Sequence, residues 1–322
     1  MYKSLLFIFL SFLIFQNSYS GEEWDIKAEA LNGELWDIQF VGNKGWAVGT
    51  TANIVNSPSY ILYTSDKGEN WQKQKTNTNV RLKSVFFFNS EDGWAVGKSS
   101  TIIHTTNGGK DWITESTKGI LDYNSIFFVD ENTGWIVGNS PDEPINILLK
   151  TTDKGKNWIQ QNVDFPCWCI GKIFFVNPTY GWITGGNPTS IIRTTNGGYS
   201  WEFINMNIPE PIFAIYFVNK NIGWACGGSY ERNIGSSSVI LKTTDGGINW
   251  INQYSGSPYY FTDIHFIDEN HGWSIAEAPA VGCGVFSNII SYTHDGGRTW
   301  KEEVTNTKLA LESIYIDDNL NA

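Results

Sequence analysis

Six turns place an Asp or Asn two residues after a Thr, at Asp66, Asn107, Asp153, Asn196, Asp245 and Asp295, and each turn ends in a Trp. An oxygen-rich turn of this kind could hold a cation, as calcium loops do, or it could stabilise itself by accepting backbone N–H groups. The mixture of Asp and Asn favours the second, because Asn accepts an N–H as well as Asp does but brings a cation no charge. No Glu follows at the spacing of a bidentate calcium ligand, so no metal is expected. Asp37 and Asp263 open equivalent apolar runs and could form a two-carboxylate glycosidase pair. The same place is Ser84, Ser125, Lys172, Ala214 and Ser313 elsewhere, which reads better as polar residues around a solvated mouth. The four cysteines, Cys167, Cys169, Cys226 and Cys283, contain no Cys-x-x-Cys and fit no usual zinc framework. A net charge of −11, with arginine only at 81, 193, 232 and 298, argues against nucleic acid as a partner. No cofactor is implied.

These residues are positioned by a repeat. Gly-Trp recurs six times, at Gly45-Trp46, Gly93-Trp94, Gly134-Trp135, Gly181-Trp182, Gly223-Trp224 and Gly272-Trp273, and the Asp or Asn turn follows each. Periods of 40–50 residues of this kind indicate propeller blades. Strand a of each unit is a run such as Ser84-Val85-Phe86-Phe87-Phe88, apolar at successive positions, so both of its faces must be buried. Strand b is the Gly-Trp segment, strand c the Ile-Ile-x-Thr type, and strand d starts at the turn's Trp. Asn/Asp-Gly-Gly between c and d is a hairpin signal. Strand a occurs seven times, ending with Ser313-Ile314-Tyr315-Ile316, and strand d seven times if Glu23-Trp24-Asp25-Ile26 is counted. The expectation is an all-β, seven-bladed propeller of four-stranded antiparallel blades, the last incomplete and completed in part by the N-terminal strand.

Residues 1–20 read as a secretory signal: Lys3, the apolar run Leu5 to Phe15, and Ser18-Tyr19-Ser20 before Gly21. The run is too short to span a bilayer comfortably, and an uncleaved anchor is the alternative. Residues 21–322 then form one propeller domain, secreted or periplasmic, without stable membrane insertion and expected to be a monomer.

On a propeller, the a–b and c–d turns share one face and the b–c and d–a connections the other. The second face carries long, unequal connections, where binding is usually placed on a rigid scaffold. Candidate partner-binding residues are Asp142, Glu143, Trp168, Tyr230, Glu231, Arg232 and Phe286, against the alternative that they are ordinary solvent loops. Cys226 and Cys283 lie toward the same face on neighbouring blades, where a bridge between them could form.

The paired Gly-Trp-x-Val-Gly and Thr-Thr-Asp-Gly-Gly-x-x-Trp motifs resemble the BNR or Asp-box repeat proteins, and more closely the photosystem II stability/assembly factor-like propellers, over about residues 22–322. Members with a known role are exported and hold a protein subunit during assembly. The resemblance therefore implies a non-enzymatic scaffold with a protein partner. Photosynthetic members are associated with an arginine-rich patch. Here the residue before each turn's first Thr is Tyr63, His104, Lys150, Arg193, Lys242 or Tyr292, a departure from that pattern. Sialidases share Asp-box propellers but need three converging arginines for the substrate carboxylate, so a carbohydrate-binding or sialidase-like glycan-cleaving surface protein is the alternative reading.

Overall fold

The computed structural model describes residues 5–8, 11–15, 34–50, 59–116, 120–143, 145–163, 165, 167, 169–186, 188–231, 235–256, 259–277, 288–305 and 311–316. Each Gly-Trp segment pairs antiparallel with the apolar run before it and the Ile-rich run after it. Blade one is Glu34–Val41, Lys44–Thr50, Ser59–Thr64 and Gln72–Gln74, in that sheet order, and blade two is Leu82–Phe87, Gly93–Gly97, Thr101–Thr105 and Ile113–Ser116. Blades three to six repeat the order, with strands a at Asp122–Phe128, Cys169–Phe175, Ile212–Phe217 and Tyr260–Phe266. The all-β propeller with four-stranded antiparallel blades is as read from the repeats.

The number of blades is not. Among the described residues six four-stranded blades form, where seven were expected. The reason lies in the motif count: six Gly-Trp strands and six Asp-box hairpins supply b, c and d strands for six sheets. The seventh a-type strand, Leu311–Ile316, pairs in parallel with Ser11–Phe15, which in turn pairs with Leu5–Ile8. The apolar run near the N-terminus lies beside this strand. Residues 23–26 fall outside the described residues.

The chain divides into two compact units, residues 1–126 with 311–322, and residues 127–310. Within each, one joint recurs between successive blades. Strand a ends in a Phe directly opposite the Gly of strand b, as in Phe87↔Gly93 and Phe266↔Gly272. The ring lies over that glycine so closely that a Cβ on Gly93 would stand 2.4 Å from Phe87, and one on Gly272 2.3 Å from Phe266. The ring's other face takes the strand-b Trp of the preceding blade: Trp46 on Phe87 at 3.6 Å between centroids, Trp135 on Phe175 at 4.2 Å, Trp182 on Phe217 and Trp224 on Phe266 at 3.5 Å. An Asp-box Trp meets the same Phe edge-on, for example Trp112 on Phe87 and Trp300 on Phe266. Gly-Trp is therefore one motif serving two interfaces. Gly93→Ala is expected to destabilise the fold by about 1–3 kcal/mol through overpacking, read by urea denaturation. Ala95→Gly in the same strand, which relieves nothing at the ring, should not rescue it.

Candidate functional site: the polar groups and the b–c rim

The Asp-box turns close on themselves. In blade one, Thr64 Oγ1 accepts the Gly68 amide at 3.0 Å and donates to Asp66 Oδ1 at 2.7 Å, and that oxygen accepts the Asn70 amide at 2.9 Å. The pattern repeats in all six turns, with the Thr hydroxyl to the Gly amide at 2.9–3.0 Å. The second oxygen is matched too. Where the box residue is Asp, the residue four later donates: Asn70, Asn157, Asn249 and Thr299 reach Oδ2 of Asp66, Asp153, Asp245 and Asp295 at 2.7–2.8 Å. Where it is Asn, the partner accepts instead: Asn107 Nδ2 donates to Asp111 at 2.9 Å and Asn196 Nδ2 to Ser200 at 2.8 Å. This pairing satisfies the box from within the chain. Among the described residues no group of three or more His, Cys, Asp or Glu could hold a metal ion.

The pairing yields two expectations. Asn107→Asp would face Asp111 with a like charge in place of a donor and should cost about 1 kcal/mol; adding Asp111→Asn should restore it, in a double-mutant cycle. The carboxyls of Asp66 and Asp153 are held below the usual range, first by the Asn70 and Asn157 side chains. For Asp295, burial opposes the charged form, but bonds from Thr299, Thr293 and the Arg298 amide prevail and bring it to about 2. A depressed folded pKa contributes stability above the unfolded value that is lost as pH falls through the folded one. Thermal stability should thus decline from about pH 4 toward the Asp295 value of about 2.

Three of the positions before the box Thr reach across blade joints. Lys150 Nζ donates to the Gly197 carbonyl at 3.0 Å and lies over the Trp135 and Tyr199 rings. Arg193 reaches the Gly246 carbonyl at 3.2 Å and Glu202 at 3.0 Å, and Lys242 reaches the Gly296 carbonyl at 2.9 Å. The strand-b indoles join them: Trp182 Nε1 donates to Gly246 O and Trp224 Nε1 to Gly296 O. His104 stacks on Trp94 and Tyr63 packs on Trp46. Lys150, Arg193 and Lys242, with the indoles of Trp182 and Trp224, lock one blade's box to the blade before it.

Strands a carry the carboxylates weighed for hydrolysis, and both are occupied. A bulge precedes each, which re-aims the strand. Asp37 accepts the Ser84 hydroxyl at 2.7 Å and the Val85 amide at 3.0 Å, and Ser313 stands at 3.5 Å. Asp263 is not at a solvated mouth: its side chain is 3% exposed and bonded to Lys172 Nζ at 2.7 Å. Lys172 belongs to blade four and Asp263 to blade six, so the pair spans blade five. His265, buried beside this pair, is pushed down to about 4 by desolvation, with Lys172 adding to it and Asp263 opposing. Sequence reasoning missed this pair; the signal was a lone Lys in a row of small polar residues, two repeats before an Asp. The arginines stand apart in role, Arg193 at its blade joint and Arg81 over the Trp36 ring at 5.1 Å.

The rim residues expected to meet a partner are placed as follows. Asp142 and Glu143 are exposed in the turn Ser140–Ile145, where the Ser140 hydroxyl accepts both amides at 3.3 Å. Tyr230 and Glu231 extend strand b of blade five, paired with Ser236 and Gly235. Residues Gly228–Glu231 are thus paired with Gly235–Ser238 as strand. Trp168, Arg232 and Phe286 lie outside the described residues. Cys226 is a buried free thiol in the core with Ala214, Phe261 and Ile264, where burial pushes its pKa up. Cys283 lies outside the described residues.

Residues 16–118 match the family model described as Photosynthesis system II assembly factor YCF48. The resemblance is to that family. No curated protein matches the chain significantly. Among solved structures, YCF48 bound to D1 peptide is similar at TM-score 0.59 and 21% identity, covering 85% of this chain and 83% of its own. YCF48 from Cyanidioschyzon merolae gives 0.62 and 19%, covering 86% and 87%. A GH74 enzyme of Niastella koreensis gives 0.55 and 12%, covering 88% of this chain and 60% of the enzyme. At these identities the YCF48 and GH74 likenesses bear on fold, and both are consistent with a propeller. Among the described residues no helix is long and apolar enough to cross a membrane.

Proposed function

We propose that this chain is a non-enzymatic protein-binding scaffold of the assembly-factor type, exported and working outside the cytoplasm. The observation that carries the reading is how the reactive groups are spent. The box carboxylates, Asp37, Asp263, Lys150, Arg193 and Lys242 all serve turns and blade joints. Blades that use their polar groups internally leave recognition to their connecting loops. The match to the YCF48 family model and the likeness to a YCF48 solved with a peptide support a polypeptide as the partner.

Affinity purification of the tagged full chain from its native envelope should recover a defined protein at stoichiometric yield, beside a panel of glycan hydrolysis assays that should stay blank. Glycan turnover that disappears in Asp37→Ala or Asp263→Ala would overturn the scaffold reading. For export, N-terminal sequencing of the mature protein should begin at Gly21. Recovery of chains starting at Met1 from the cytoplasm would refute it. Light scattering on the purified protein should give the mass of one chain.

A further inference from the structure

Where the b–c turn of blade two meets the start of strand a in blade three, positive charge outnumbers negative. Lys83 and Lys98 both face Asp122, at 3.8 and 3.7 Å from the same oxygen, Oδ2. Neither distance is a hydrogen bond, so Asp122 is shared between two ammonium groups without saturating either. Lys83 is otherwise bonded to Asn124 Oδ1 at 2.7 Å, and nearby Arg81 lies over Trp36. Lys83 is 23% exposed and Asp122 13%, so this charge is only partly screened by water. Burial depresses the Lys83 ammonium first, with Lys98 and Arg81 adding and Asp122 opposing.

The turn carrying Lys98 is built at some expense. Ser99 and Ser100 both hold left-handed backbone, at φ 54° and 56°, a conformation disfavoured for residues with a Cβ. It is fixed by the Lys98 amide on the Arg81 carbonyl at 2.8 Å, the Ser100 amide on the Leu121 carbonyl at 2.6 Å and the Leu121 amide on the Ser100 hydroxyl at 3.0 Å. The Ser99 amide points at Asp122 Oδ1, 3.4 Å away. The strained turn thereby brings a second ammonium to a carboxylate that already had one.

We infer that Lys83 and Lys98 form a binding site for a carboxylate. Two ammonium groups on one carboxylate, with Arg81 nearby, leave net positive charge for an anionic oxygen group to balance. Lysine also suits a single anionic oxygen group approached from solvent, since it acts as a point charge with three movable donors. The site lies on the rim that carries the b–c turns. A carboxylate on a partner polypeptide is the source this commits to, and that much rests on the scaffold reading. The chemistry of the site does not.

The test is calorimetric titration of the full chain with N-acetylglycine, a minimal carboxylate, and with its amide, at fixed ionic strength. Saturable binding with Kd on the order of millimolar is expected for the acid and none for the amide. Lys98→Gln, on the more exposed residue, should weaken it at least fivefold, as should Lys83→Gln, whose amide can still bond Asn124. Lys44→Gln, which removes a cation paired with Glu91 elsewhere, should leave it unchanged. No saturable binding, equal binding of acid and amide, preference for inorganic phosphate, or retention in Lys98→Gln would each overturn the site. Partner recovery from the envelope is scored separately. Binding of N-acetylglycine with no recovered protein refutes the scaffold, and a recovered protein with no carboxylate binding refutes the site.

Discussion

Trp224→Ala is expected to destabilise the protein by about 3–5 kcal/mol, the range for deleting a buried Trp. The indole is fully buried, stacks on Phe266 at 3.5 Å and donates to the Gly296 carbonyl at 3.1 Å. Its removal opens a cavity between blades five and six that the Phe266 ring cannot fill, because that ring is pressed against Gly272 on its other side. Trp224→Phe separates packing from hydrogen bonding. It keeps a ring over Phe266, and Lys242 still serves the Gly296 carbonyl, so the loss should be about 1–2 kcal/mol. Urea denaturation measures both. A Trp224→Ala variant as stable as the parent would mean that the joint is not where stability resides.

The second large effect is at Lys172→Met, which leaves Asp263 buried and uncompensated. Breaking such a pair costs about 3–5 kcal/mol. Since the Lys172 side chain is 36% exposed, the lower end applies. Asp263→Asn should cost less, because Asn is neutral when buried. The double variant Lys172→Met with Asp263→Leu should recover most of the loss, as apolar replacements of buried ion pairs often do. If Lys172→Met and Asp263→Leu instead add as independent changes, the two residues are not coupled in solution.

How far the sequence could be read follows from what repeats. Six Gly-Trp segments and six Asp-box turns made the four-stranded blades legible, because strand order within a blade is local and each hairpin announces itself. The self-closing Asp-box turn was also legible, since Asp and Asn can both accept the backbone amide that the turn presents. The blade total was not. The seventh a-type run suggested a further, incomplete blade, but Leu311–Ile316 pairs with Ser11–Phe15. Lys172 was equally hidden: its partner is 91 residues away, beyond the reach of any one repeat. The same limit applies to Lys83, Lys98 and Asp122, which come together from two blades. The positions before the box Thr looked like surface charge, but Lys150, Arg193 and Lys242 act as cross-blade donors, a role defined only once the neighbouring Gly carbonyl is in place.

The joint built from Gly, Phe and Trp is divided between successive copies of the repeat. Each copy supplies the Phe and its glycine seat to one neighbour and a Trp to the other. A copy inserted next to an existing one would therefore arrive already able to mate on both sides, whereas a single copy cut out alone would hold two half-joints and complete neither. Lineages of such chains can gain or lose whole units without inventing new contacts, provided the break falls between one Asp-box Trp and the next apolar run.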